Sequence, residues 1–188
     1  LTGTGVVTST GGILTLVVST GMTNVFDGSL AGGISVVKSL PGTLQLAGTN
    51  GFTGPLTIRN GEVQLTGGPD RLNPAGRVQF DLPGTLALPG VAQTLSNLSV
   101  AAASMTSLVT GAAGQLTVNG DADFQAGGAA GTTTIHLDMS GLDAFTYVAP
   151  SRTLRAGPGG GATAGSIGHL TLANTNDLTA AVLSVGDQ

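Results

Sequence analysis

Asp121 and Asp123 stand two residues apart, a spacing that puts both carboxylates on one face of an extended strand. Such a pair would hold Ca²⁺ through its oxygens, or divide the roles of acid and base at a glycosidic bond. No cation suited to a uronic acid lies near them in the sequence, however, and Asn119-Gly120-Asp121 has the composition of a turn. The favoured reading is two solvated carboxylates. A second group gathers Arg152 and Arg155 after Pro150, with Asp143 and Tyr147 just upstream. Arginines in that setting would grip a carboxylated sugar through paired N–H donors. More commonly such residues keep a loop soluble, and that reading is preferred. Glu62, beside Arg59 and Asn60, reads as a turn with an exposed ion pair of small energetic weight.

The two histidines, His136 and His169, are 33 residues apart and have no acidic partner at a spacing used by zinc sites or catalytic triads. Gly157-Pro158-Gly159-Gly160-Gly161 lacks the Lys-Ser/Thr of a phosphate loop and the Asp of a calcium-binding nonapeptide repeat, so it reads as a flexible loop. Asn97-Leu98-Ser99 is a formal glycosylation sequon, without meaning in a bacterial protein. The threonines at Thr2, Thr4 and Thr132-Thr133-Thr134 keep no regular spacing, which argues against an ice-ordering array. No catalytic, cofactor-binding or metal-binding residue is assigned on these grounds, and no cofactor is expected.

The elements that must position these residues are strands. Glycine supplies 32 of 188 residues, a density that disfavours helix throughout and marks frequent turns. Between the glycines, apolar residues recur two apart: Leu14 and Leu16, Leu44 and Leu46, Leu56 and Ile58, Val63 and Leu65, Val78 and Phe80, Leu86 and Leu88, Leu116 and Val118, Ile135 and Leu137, Leu170 and Leu172, Leu183 and Val185. Period two buries one face of a strand and leaves the other to Thr, Gln, Ser or Arg. The runs Thr43-Leu44-Gln45-Leu46, Glu62-Val63-Gln64-Leu65, Arg77-Val78-Gln79-Phe80 and Thr85-Leu86-Ala87-Leu88 are variants of one unit, the mark of stacked repeats.

Five phenylalanines, one tyrosine and no tryptophan would fill a sandwich core poorly, whereas ladders of Leu, Val, Ile and Ala suit a narrow solenoid. Asn-Gly pairs at Asn50, Asn60 and Asn119 keep an antiparallel alternative open, because that dipeptide closes type I′ hairpins. The expectation is an all-β chain, a single domain over 1–188, folded as a parallel β-helix. Rungs of about 20 residues give roughly nine rungs and a ladder around 40 Å long.

Six scattered cations (Lys38, Arg59, Arg71, Arg77, Arg152, Arg155) against ten acids give a net charge of -4. With so few aromatics, nucleic acid is excluded as a partner. The uncharged stretches Leu1 to Phe26 and Leu82 to Gly120 are broken every few residues by Gly, Ser, Thr, Asn or Pro, so no membrane-spanning helix is expected. Leu1 to Phe26 also lacks the basic start and compact apolar centre of a signal peptide. Absence of cysteine removes disulfides and thiolate metal sites.

One segment carries a family pattern. It opens with Phe26-x-Gly28-x-Leu30, continues with Lys38 ahead of Gly42-Thr43-Leu44-x-Leu46, then Gly48-Thr49-Asn50-Gly51-Phe52-Thr53-Gly54, and closes with Leu56-Thr57-Ile58 and Gly61-x-Val63-x-Leu65. Residues 26–65 thus resemble the autotransporter-associated β-strand repeat of bacterial surface proteins. Thr85 to Gly90 with Gln93 to Leu98 is similar to a following rung, and Leu116 to Asp121 and Leu178 to Asp187 fit more loosely. The resemblance implies a right-handed, single-stranded β-helix outside the cell, without the membrane barrel of a complete autotransporter. The function it implies is a structural, non-catalytic rod serving adhesion or a matrix. Its partners would be adjoining solenoid segments end to end, or host or matrix surfaces. A fibre subunit that stacks head to tail through uncapped ends is the second expectation. A polysaccharide lyase or hydrolase is the third.

In this motif, alternation turns Leu44 and Leu46 inward. Gly42, Gly48, Gly51 and Gly54 are expected to make corners outside the β region, with Asn50 left-handed among them.

Overall fold

The computed structural model describes residues 1–100, 105–120, 134–156 and 167–185 in full, and the backbone of 124–126. The described residues form strands joined by short corners, and every pairing between strands is parallel. Each Asn-Gly pair falls between strands so paired, so none closes a hairpin and the antiparallel alternative is set aside.

Three sets of strands follow one another around each turn of chain. On one side lie β2 (Ile13–Val17), β5 (Ser35–Ser39), β7 (Leu56–Ile58), β9 (Arg77–Phe80) and β12 (Asn97–Val100). On the next lie β3 (Thr23–Phe26), β6 (Thr43–Leu46), β8 (Glu62–Leu65) and β10 (Thr85–Ala87). The third side is shorter and less regular, with β1 (Val6–Ser9) on β4 (Ser29–Gly32), an isolated bridge from Asn50 to Leu72, and β11 (Ala92–Leu95). Beyond residue 104 the corners merge into strands. β13 (Met105–Val118) pairs with both β10 and β11, and then with the 23-residue β15 (Thr134–Ala156). β14 (Phe124–Ala126), β16 (Ile167–Thr171) and β17 (Thr175–Val185) also pair with β15.

Register follows the alternation. Leu44, Val63, Leu86 and Val109 are partners in turn, as are Val36, Leu56, Val78 and Leu98, and all eight are buried. Each such side chain contributes about 1.5–3 kcal/mol by leaving water, and within each ladder an apolar residue stands on the apolar residue of the next turn. Apolar side chains on the outermost strands are less covered. Val6 and Ile13 at one end are 70% and 74% exposed, and Leu183 and Val185 at the other are 61% and 77% exposed, although the last two share the alternation that predicts an inward face.

The turn length is not constant. Thr23, Thr43, Glu62, Thr85, Leu108, Asp138 and Thr171 stand partner on partner, so successive turns take 20, 19, 23, 23, 30 and 33 residues. A period of about 20 therefore holds only through the first half of the chain. The longer turns run through β13 and β15, whose registers shift at Leu108/Thr110, Gly111/Gln115 and Ala149/Thr153.

Gly28, Gly42 and Gly48 of the motif are required for a different reason from the one expected, and Gly51 has open space around it. Gly42, Gly48, Gly51, Gly54 and Asn50 are all absent from the positive-φ residues. A Cβ at Gly48 would overlap the Gly28 carbonyl, one at Gly28 the Gly5 carbonyl, and one at Gly42 the Ser19 carbonyl. Close approach of one turn to the next, not backbone torsion, excludes side chains there.

Candidate functional site

Polar groups inside the coil come first, because burial makes each one costly unless it is partnered. Asn50 is fully buried on the third side. Its Oδ1 accepts the Leu30 N–H at 2.9 Å, and its Nδ2 donates to the Gly48 carbonyl at 2.8 Å and the Arg71 carbonyl at 3.1 Å. Gln93 repeats the device higher up: it accepts the Leu72 N–H at 3.0 Å and donates to the carbonyls of Leu72 at 3.1 Å and Thr94 at 2.6 Å. Where the third side has no continuous strand, these amides supply the bonds that a ladder would make. Asn50 is thus a tie between turns and not a left-handed corner residue.

Lys38, the chain's sole lysine, is also buried. Its Nζ donates to the carbonyls of Ser39 at 3.2 Å, Leu40 at 2.7 Å and, one turn on, Asn60 at 3.1 Å. Three donors meet three acceptors, so the ammonium is saturated. Burial pulls its pKa below the ordinary lysine value. The corner it fills includes Leu40, which holds a left-handed φ of 67° with its carbonyl fixed by this bond.

On the outside, an open groove of about 400 Å³ crosses the corner above Lys38, lined by Pro41, Asn60, Glu62, Pro83, Thr85 and Leu108 among others. Glu62 is its single charged group. Arg59 does not pair with Glu62 as expected. The corner directs its Nε to Asp81 Oδ2 on the next turn, at 3.2 Å, because residues one turn apart are closer neighbours than residues three apart in an extended chain. Asn97 and Ser99 line a groove of about 240 Å³ with Pro55, Arg77 and Gln79.

The arginine group dissolves as a loop. Asp143, Tyr147, Pro150, Arg152 and Arg155 all lie on β15. Alternation turns Tyr147 into the core, where its hydroxyl donates to the Thr153 carbonyl at 3.3 Å. Asp143 and Arg152 face outward and Arg155 is half-buried. Asp121, Asp123, Thr132, Thr133 and Gly157 to Gly161 lie outside the described residues.

The histidines, separated in sequence, are brought together. His136 on β15 and His169 on β16 are direct partners, with ring centroids 5.8 Å apart and planes at 69°. His136 Nε2 lies 2.8 Å from Thr171 Oγ1, while Asp138, the partner of Thr171, stands two residues along β15. Hydrogen bonds from the Ser140 hydroxyl and backbone N–H hold the Asp138 carboxyl below the usual range; partial burial opposes this and His136 adds to it. The signal for this meeting was the separation of 33, which equals the local turn length but no turn length earlier in the chain. Among the described residues, no group of three or more His, Cys, Asp or Glu is placed to hold a metal ion, and no helix is long and apolar enough to cross a membrane. Compared with family models, with curated proteins and with solved structures, the chain matches none.

Proposed function

We propose that the chain is a structural, non-catalytic segment of an extracellular rod: a right-handed β-solenoid of a bacterial surface protein, extending or displaying neighbouring segments in adhesion or in a matrix. The observation that supports it best is continuous register. Seven residues from Thr23 to Thr171 stand partner on partner, and the bridge from Gly3 to Phe26 adds a level below. Among the described residues, these eight levels at about 4.8 Å make a ladder of about 34 Å, with the later turns longer than the first. Right-handedness follows from the near-universal hand of parallel crossovers, and the surface location from the resemblance of residues 26–65.

The test is protease shaving of intact source cells, together with deletion of the segment. Release of the chain from intact cells and weakened surface attachment of the deletion strain are expected; protection from protease in intact cells would overturn the reading.

A second reading, the fibre subunit, is favoured by the apolar side chains exposed on the outermost strands, Val6 and Ile13 against Leu183 and Val185. Among the described residues those strands each pair on one side only. Electron microscopy over a range of concentrations separates the two readings, since only the fibre lengthens.

A further inference from the structure

Both rings of the paired histidines reach solvent. We propose that His136 and His169 form a binding site for a divalent transition-metal ion of the kind that prefers imidazole, with water completing its coordination. Partner positions on adjacent parallel strands point their side chains from the same face, and the rings stand 5.8 Å apart between centroids. Two imidazoles on one ion, with metal–nitrogen distances of about 2.0–2.1 Å, reach at most about 6.4 Å between centroids. The observed pair falls within that reach without movement of either strand.

The surroundings match those of a ligating histidine. A metal-bound imidazole characteristically donates its other N–H to an acceptor that fixes ring and tautomer. Thr171 Oγ1, 2.8 Å from His136 Nε2, is such an acceptor, and a proton on Nε2 leaves the Nδ1 lone pair for the ion. Asp138, two residues along β15 from His136 and the partner of Thr171, places a carboxylate beside the pair. Bound there, the ion would join two turns at the stretch where 33 residues separate them.

The experiment uses Cu²⁺ as probe, on the whole chain prepared without a polyhistidine tag, followed by calorimetry and electron paramagnetic resonance near neutral pH. One ion per chain with a two-nitrogen signature is expected. His136→Ala and His169→Ala should each weaken binding about tenfold or more, and Thr171→Val by a smaller factor. Asp143→Asn, outward on the same strand, should leave binding unchanged. Circular dichroism of each variant verifies the fold; the rings are outside the core, so little loss is expected. A single-nitrogen signature, or equal binding by the double histidine variant, would overturn the proposal.

Discussion

Replacing Asn50 by leucine keeps the number and branching of the heavy atoms and removes every side-chain hydrogen bond. The Leu30 N–H then loses its acceptor and the Gly48 carbonyl its donor, while the Arg71 carbonyl keeps the Asn50 backbone N–H at 2.8 Å. Two buried groups left unpaired, at about 1–3 kcal/mol each, give a loss of about 2–6 kcal/mol. That is a large share of the 5–15 kcal/mol that holds an ordinary domain together, roughly speaking. Asn50→Asp sharpens the argument, because it separates shape from protonation. A neutral carboxyl there accepts from Leu30 and donates to Gly48 as the amide does, whereas an ionised one is a buried charge facing a carbonyl. Its folded-state pKa is therefore raised above the unfolded value of about 3.9. With a raised acid pKa, the destabilisation is absent below the unfolded value, grows as pH climbs toward the folded value, and is constant above it. Urea melts followed by circular dichroism at about pH 3 and pH 7, each against the parent chain, read both effects. A leucine variant within about 0.5 kcal/mol of the parent, or an aspartate variant equally destabilised at both pH values, would refute the tie between turns.

Gly48→Ala and Gly51→Ala should differ sharply although they are three residues apart. A Cβ at Gly48 meets the Gly28 carbonyl, whereas one at Gly51 meets nothing within 4 Å. The first should lose about 1–3 kcal/mol and the second change little or gain up to about 1 kcal/mol; equal melts would contradict the close-approach account. Lys38, the one lysine, should react with an amine-directed ester only as fast as the chain opens, and labelling at the rate of a free lysine would show the ammonium to be accessible. Because burial lowers its pKa below 10.5, the folded chain releases this proton before the unfolded one does. Stability should then rise with pH across the window just below 10.5, a slope that Lys38→Met should lack in parallel urea melts.

Much of the architecture was legible because it rests on local rules. Leu44, Leu46, Val63 and Leu65 sit where period two puts them, and their small, unbranched-aromatic-free palette pointed to ladders instead of a sandwich. What stayed hidden depends on the distance between turns. Arg59 was matched with its sequence neighbour Glu62, but the coil places Asp81 against it. His136 and His169, 33 residues apart with no acidic partner at a recognised spacing, do not fall on partner positions at a turn of about 20 residues. Tyr147 and Arg152 read as parts of one loop around Pro150, yet all three lie on β15, where the register shift between Ala149 and Thr153 accommodates the proline and the two side chains go to opposite faces. Asn50 illustrates a subtler gap: its residue type suits a turn as well as an internal tie, and only the course of the chain around it decides.

The lengthening of the strands has a bearing on what can sit at each end of the rod. At one end the edge is offered by β1 and β2, of four and five residues; at the other, among the described residues, β16 offers five and β17 eleven. A second copy docked head to tail would cover less than half of β17 with either of those first strands alone, so two strands would have to share it, as β10 and β11 share β13. The two ends thus differ in strand length. A neighbour whose first strand is as long as β17 would close that edge with a single strand.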